Sequence, residues 1–151
     1  MGKLYDCIII GSGPAGVSAA LYAVRAGVDT TVLTKGPGAL DRAEKIENYY
    51  GFDEPISGKE LYCRGIAGAK RLGCVIKKKE VFSVEYTDGF LVKASGGEYQ
   101  ADAVLLATGA SRKAPNIAGL QALEGSGVSY CAVCDAFFYR QKDVAVLGSG
   151  E

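Results

Sequence analysis

The chain has 151 residues, enough for about one domain with a sizeable core. Lysine plus arginine equals aspartate plus glutamate at 17 each, so nothing electrostatic points to nucleic acid or an anionic membrane. Five cysteines without framework spacing fit a reducing, cytoplasmic setting better than a stapled secreted fold.

No targeting segment is expected at the amino terminus. Met1-Gly2 has the look of a myristoylation start, but Asp6 stands where Ser or Thr is required. The apolar run at 7–10 is too short for a signal-peptide core or a membrane span, and Gly11 breaks it. Residues 5–10, with Ile8, Ile9 and Ile10 in succession, predict a buried strand. Gly11, Ser12, Gly13, Pro14, Ala15 and Gly16 follow at once. Residues 17–26 predict an alanine-rich helix ended by Gly27, and 29–33 a second strand. This is one βαβ unit with a glycine loop at its first turn. Gly11 permits the tight turn, Gly13 lets the backbone approach a pyrophosphate, and Gly16 lets the helix lie close on the strand. The helix amino terminus offers N–H groups to the phosphates. An acid that binds a ribose hydroxyl is expected at the end of the second strand. Thr34 stands there instead, followed by Lys35.

The middle of the chain reads as structural. Ser57 and Glu60 predict a capping box that starts a helix running to about Leu72 and stopping at Gly73. Cys63 and Cys74 are expected to be small buried apolar residues. Lys77-Lys78-Lys79 reads as a solvated segment with no partner. Residues 81–86 and 90–94 predict two strands joined through Thr87-Asp88-Gly89, a hairpin signal. Gly96-Gly97 makes another turn before Tyr99. Residues 103–107 predict a second continuous apolar strand, opening into Thr108, Gly109 and Ala110. In an open α/β sheet a cofactor sits beside such a carboxyl end.

From Ser111 the character changes, with Pro115, Asn116 and Gly119 suggesting a connector. Then comes Cys131-Ala132-Val133-Cys134-Asp135. Two thiols at this spacing can close a small, easily reopened disulfide. A redox dithiol needs a group to move protons, and the chain has no histidine, so Asp135 is the candidate. The alternative is half of a zinc site. Zinc wants four ligands, and Cys7, Cys63 and Cys74 form no second CxxC, so the redox reading is preferred. After Phe137-Phe138-Tyr139, residues 143–147 predict a further apolar strand. It feeds Gly148-Ser149-Gly150-Glu151, the opening of a second glycine motif.

The order Gly11–Gly16, Glu47-Asn48-Tyr49, Ala107-Thr108-Gly109-Ala110, Cys131–Asp135, then a strand and a second glycine turn, resembles the low-molecular-weight thioredoxin reductases. These are FAD-dependent pyridine nucleotide–disulfide oxidoreductases. The resemblance covers all 151 residues and about the first half of a family member. It implies an α/β fold: a Rossmann-like, three-layer FAD-binding domain with a β-meander. That domain would span 1–113, without its carboxyl-terminal part. The start of a dithiol and NAD(P)H-binding domain would span 114–151, with a hinge at 114–119. It also implies a reaction. NADPH would reduce FAD, FAD would reduce the Cys131/Cys134 disulfide, and the dithiol would reduce thioredoxin or a thioredoxin-like protein. Cys134 would face the flavin and be the less accessible thiol, Cys131 would attack the acceptor, and Asp135 would handle the proton. Gly11, Ser12, Gly13, Pro14, Ala15 and Gly16 would hold phosphates, and Thr34 would mark a weakened ribose contact. Asn48 would lie on the flavin side, Val81 on the adenine side, and Thr108 and Gly109 over the cofactor. The full-length protein would be a homodimer, with no nucleic-acid or membrane partner. Three positions depart from the family pattern. Gly38-Ala39-Leu40 replaces a Gln-Leu pair, Ala136 replaces a glycine, and Glu151 places a carboxylate in the second glycine motif. Four readings therefore stand: an NADPH-dependent reductase, a ferredoxin-dependent flavin thioredoxin reductase, a flavin-dependent dithiol oxidase, and an inactive truncated fragment.

Overall fold

Three isoleucines in a row cannot alternate between core and solvent, so the strand that holds them must be covered on both faces. In the computed structural model that strand is β1 (Leu4–Ile10). The structure describes residues 3–110 and 114–148, apart from the side chains of Val133 and Cys134. Met1-Gly2 and the Ser149-Gly150-Glu151 part of the second glycine motif lie outside the described residues. The chain forms two compact units, 1–110 and 111–151.

The first unit is built on a six-stranded sheet in the order β3-β2-β1-β6-β5-β4. After β1 come helix α1 (Pro14–Arg25), β2 (Thr30–Thr34) and helix α2 (Gly58–Arg71). Then follow β3 (Val75–Lys78), β4 (Val81–Tyr86), β5 (Phe90–Ala94) and β6 (Gly97–Leu106). β1 pairs in parallel with β2 on one side and β6 on the other, and β3 pairs in parallel with β2. β4, β5 and the start of β6 form an antiparallel meander. Ile9 and Val32 face the helices, packed with Val17, Ala20, Ala69 and Cys74. Ile8, Ile10 and Leu33 face the other way, clustered with Val92, Ala94 and Ala101 of the meander. The result is a Rossmann-like α/β unit of three layers: helices, parallel sheet and meander. Each fully buried Ile, Leu or Val contributes about 2 kcal/mol from apolar burial.

α2 starts where its cap residue predicts. The Ser57 hydroxyl accepts the Glu60 N–H at 3.2 Å. The reciprocal half of the capping box is not made, because the Glu60 carboxylate turns to Arg64 one turn on, at 2.6 Å.

Four expectations are corrected. β6 does not begin at 103 but at Gly97, because its first half ladders onto β5 while its second half ladders onto β1. Lys77 and Lys78 are not a loose solvated segment but part of β3, an edge strand, where lysines guard against further pairing. Lys77 Nζ also donates to the Tyr5 hydroxyl at 2.9 Å and sits over the Tyr99 ring. Cys63 is not buried; it lies on the solvent side of α2, whose inner side carries Ile66 and Ala69. Residues 143–147 form no strand, and Val144, Val146 and Leu147 are exposed. A strand exists through its ladder, and no described strand of that unit pairs with this run.

The second unit, described from 114 to 148, holds two 3₁₀ turns (Gln121–Leu123 and Ala136–Tyr139) and one short helix, α3 (Ala132–Asp135). Among the described residues no helix is long and apolar enough to cross a membrane.

Candidate functional site

The parallel strands β1, β2 and β6 deliver their carboxyl ends to one edge of the sheet, where ligands bind in open α/β folds. The glycine loop leaves β1 at that edge, anchored by the Gly11 N–H to the Leu33 carbonyl at 2.8 Å. Gly11 has φ +108°, and a β-carbon there would lie 2.2 Å from the Ala107 carbonyl oxygen. A β-carbon on Gly16 would lie 2.0 Å from the Gly11 carbonyl oxygen. These two glycines are needed by the protein itself. Gly13 is different, since among the described residues no heavy atom beyond its chain neighbours lies within 4 Å of where its β-carbon would be. The space in front of Gly13 is open, and it faces the start of α1. That helix has no side-chain cap and no acid in its first turn, and Pro14 fills its first position. The N–H groups of Ala15 and Gly16 therefore have no intrahelical partner. An open cradle with unpaired donors and a helix dipole behind it fits the pyrophosphate of a dinucleotide.

Behind the loop runs a line of hydroxyls. Ser12 Oγ lies 2.6 Å from Thr34 Oγ1 and 3.1 Å from the Tyr62 hydroxyl. Thr34 Oγ1 accepts the Gly36 N–H at 3.0 Å and donates to the Gly36 carbonyl at 3.2 Å. Ser12 Oγ also reaches the Gly36 carbonyl, at 3.5 Å, so the two hydroxyls share that acceptor and either can donate to the other. Both Ser12 and Thr34 are buried. The Thr34 hydroxyl is thus engaged inside the protein, by Ser12 and by Gly36. Tyr62 is a site residue that sequence reasoning missed, for nothing local links an aromatic on α2 to a loop 50 residues earlier.

Two clefts flank the loop. One, lined by Gly13, Pro14, Val17, Tyr49, Leu61 and Tyr62, lies between α1 and α2. The other, of about 330 Å³, lies at the carboxyl ends of β2 and β3 and is lined by Thr34, Lys35, Lys78, Lys79, Glu80 and Ser95. Val81 starts β4 directly after it and is half-buried. Thr108 and Gly109 follow β6 at the same edge as the glycine loop, with Ala107 N–H bonded to the Ile10 carbonyl at 2.8 Å. Asn48 is exposed, in a loop closed by the paired Ile46 and Ile56. The structure so gathers Gly11–Gly16, Thr34, Thr108 and Gly109 at one sheet edge.

In the second unit Cys131 is disulfide-bonded. The Cys134 side chain, its sequence-predicted partner, lies outside the described residues. The two backbones share one short turn, in which the Asp135 N–H donates to the Cys131 carbonyl at 3.0 Å. Ser129, missed in the sequence, ties the turn together. Its hydroxyl donates to Asp135 Oδ2 at 2.5 Å and accepts the Cys131 N–H at 3.1 Å. A serine two residues before a cysteine is a recognisable hydroxyl-turn signal. The Asp135 carboxylate is therefore held to the backbone of Cys131 through one hydroxyl. Among the described residues no cluster of His, Cys, Asp or Glu could hold a metal ion.

The remaining cysteines are free. Burial pushes the thiols of Cys7 and Cys74 above the ordinary thiol range, and the Asp6 charge adds to the effect at Cys7. A thiol raised on folding favours the folded state below the ordinary thiol pKa. That contribution is lost as pH climbs through the raised value. Iodoacetamide applied to the folded protein near neutral pH is thus expected to label Cys63 first and Cys7 and Cys74 only slowly. Mass spectrometry of the labelled peptides reads the order, and fast labelling of Cys74 would contradict the packing described.

The profile of the family described as "Pyridine nucleotide-disulphide oxidoreductase" matches residues 5–151. The thioredoxin reductase of Bacillus subtilis is 42% identical over 155 residues, covering 99% of this chain and 48% of its own length. A thioredoxin reductase structure from Streptococcus pyogenes superposes with a TM-score of 0.83 at 36% identity, over 92% of this chain and 46% of that one. A ferredoxin-flavin thioredoxin reductase structure from Clostridium acetobutylicum gives a TM-score of 0.68 at 37% identity, over 91% of this chain and 48% of that one. The chain spans about half the length of the curated relatives it matches. With a profile match across nearly its whole length, a glycine loop at the carboxyl edge of a parallel sheet and a disulfide-bonded Cys131, the chain belongs to the pyridine nucleotide-disulphide oxidoreductase family.

Proposed function

We propose that this chain is the electron-receiving and dithiol-bearing part of a flavoprotein disulfide reductase whose acceptor is thioredoxin or a thioredoxin-like protein. One observation carries the reading. Among the described cysteine side chains, only Cys131 is in a disulfide, and it is the one tied to a carboxylate through Ser129. FAD, when bound, would supply the two-electron relay between an external donor and that disulfide. Gly13, Ala15 and Gly16 would hold its pyrophosphate, and Thr108 and Gly109 would line the cofactor. Two electrons break the S–S bond and leave a dithiol that needs two protons at neutral pH. The Asp135 carboxylate would pass one of them. Cys131 would then attack the acceptor disulfide, expelling a thiolate, and Cys134 would close back onto Cys131 and release the reduced acceptor. Residues 1–113 belong to the flavin domain in this reading, and 114–151 to the dithiol domain.

NADPH is the proposed donor. The likeness to a ferredoxin-flavin thioredoxin reductase keeps reduced ferredoxin as a second reading. The test is a donor screen on the full-length protein with oxidised thioredoxin as acceptor, offering NADPH, NADH and reduced ferredoxin in turn. NADPH-driven thiol production is expected. Turnover with ferredoxin alone would move the protein to the second reading, and oxygen consumption driven by dithiols would replace both. The isolated 151-residue chain is expected to give no turnover in the same assay. Beyond Ala101 one edge of β6 has no described partner strand, and Leu105 and Leu106 stand exposed beside the proposed flavin position.

A further inference from the structure

The ribose of a nucleotide on this glycine loop lacks the acid that normally closes the second strand, and Thr34 cannot replace it. Its hydroxyl is buried and already engaged by Ser12 and Gly36. A carboxylate nonetheless enters the same cleft from another direction. Lys79 N–H donates to the Thr34 carbonyl at 2.8 Å, which lays the segment after β3 against the end of β2. The next residue is Glu80. Its backbone is fixed twice by Ser95: Glu80 N–H donates to Ser95 Oγ at 3.0 Å, and Ser95 N–H donates to the Glu80 carbonyl at 2.8 Å. Its side chain lines the cleft beside Thr34, with Oε1 on Lys35 Nζ at 2.7 Å. A carboxylate has about four acceptor sites, and this contact with Lys35 takes one.

We propose that Glu80 is the ribose-binding acid of this site, taking the adenosine hydroxyls of the dinucleotide that the glycine loop holds. This rests on reading the loop as an FAD site. The Lys35–Glu80 pair is half-exposed on the Glu80 side and more open on the Lys35 side, so it adds little to stability. It does orient the carboxylate, which keeps acceptor capacity for a ligand. Such a carboxylate accepts a hydroxyl and repels a phosphate. Lys35, Lys78 and Lys79 pull the other way, and a 2′-phosphorylated adenosine is the competing occupant. The Glu80 carboxylate in the cleft favours the hydroxyls.

The test uses the full-length apoprotein and flavin fluorescence, titrating FAD and an FAD analogue that lacks the adenosine 2′-hydroxyl. Wild type is expected to prefer FAD by roughly tenfold, the worth of one hydrogen bond to a charged group. Glu80→Gln is expected to lose most of that preference while binding the analogue as wild type does. The substitution keeps size and lies at the surface, so folding is retained, which circular dichroism checks. An undiminished preference in Glu80→Gln overturns the assignment, as does displacement of FAD by 2′,5′-ADP more readily than by 5′-AMP. If the wild type binds no flavin, or a Gly13→Val protein binds it normally, the FAD reading itself fails and this inference fails with it. Normal flavin binding that depends on Gly13 but not on Glu80 removes only the inference.

Discussion

A Gly13→Val protein is expected to purify folded but without flavin. The two halves of that result have separate causes. Among the described residues, chain neighbours aside, no heavy atom lies within 4 Å of the added β-carbon, so the branch point of the side chain has room. Gly13 has φ −65°, a value any residue adopts, and valine as a helix cap costs about 1 kcal/mol against glycine. The space it fills is the space a pyrophosphate would need. Losing the two hydrogen bonds from the Ala15 and Gly16 N–H groups to a charged phosphate would cost about 1.5–3 kcal/mol each. Together that is at least two orders of magnitude in affinity. Gly16→Val is expected to behave oppositely and fail to fold, because its β-carbon would lie 2.0 Å from a backbone oxygen. The ratio of flavin to protein absorbance reads the first effect, and thermal unfolding of the apoproteins reads the second. A Gly13→Val protein with a full flavin complement would remove FAD from this loop.

How much of this was legible in the sequence depended on how local each signal was. The isoleucine run, the glycine loop and the Ser57 cap are written in consecutive residues, and β1 and the start of α2 fall where those residues place them, while α1 starts at Pro14, inside the glycine motif and three residues before the expected 17. β3 was not legible, because Val75–Lys78 is a strand only by virtue of β2 beside it. Two of its four residues are lysines that read as solvated. The first half of β6 was hidden in the same way, since Glu98, Gln100 and Asp102 break up the apolar run and only pairing with β5 makes the stretch a strand. The run at 143–147 shows the reverse error, an apolar stretch with no ladder. The candidate site divides along the same line. Gly13 and Cys131 stand in motifs. Tyr62 reaches Ser12 across 50 residues and Glu80 reaches Lys35 across 45, distances at which no spacing rule operates. Ser129 lies only six residues from Asp135, within range of a local turn signal.

Cys131→Ser is expected to abolish turnover of thioredoxin by the full-length protein while leaving flavin content intact. The residue sits in the second unit, away from the glycine loop in the chain, and serine keeps its size. What is lost is the sulfur. A serine hydroxyl cannot form a disulfide, so the two electrons have no place to reside before they reach the acceptor. Cys134→Ser is expected to abolish multiple turnover as well, because a single thiol at 131 can attack a disulfide but has no neighbour to displace the product. Asp135→Asn should leave the disulfide in place and lower the rate by about 10²-fold or more, the ordinary worth of a positioned proton-transfer group. Ser129→Ala should fall between wild type and Asp135→Asn, since it frees the carboxylate without removing it. Cys63→Ser serves as the control, an exposed free thiol on α2 expected to have no effect. Steady-state rates with oxidised thioredoxin, set against flavin content for each variant, separate these outcomes. Near-wild-type turnover by Cys131→Ser would place the redox chemistry on other residues.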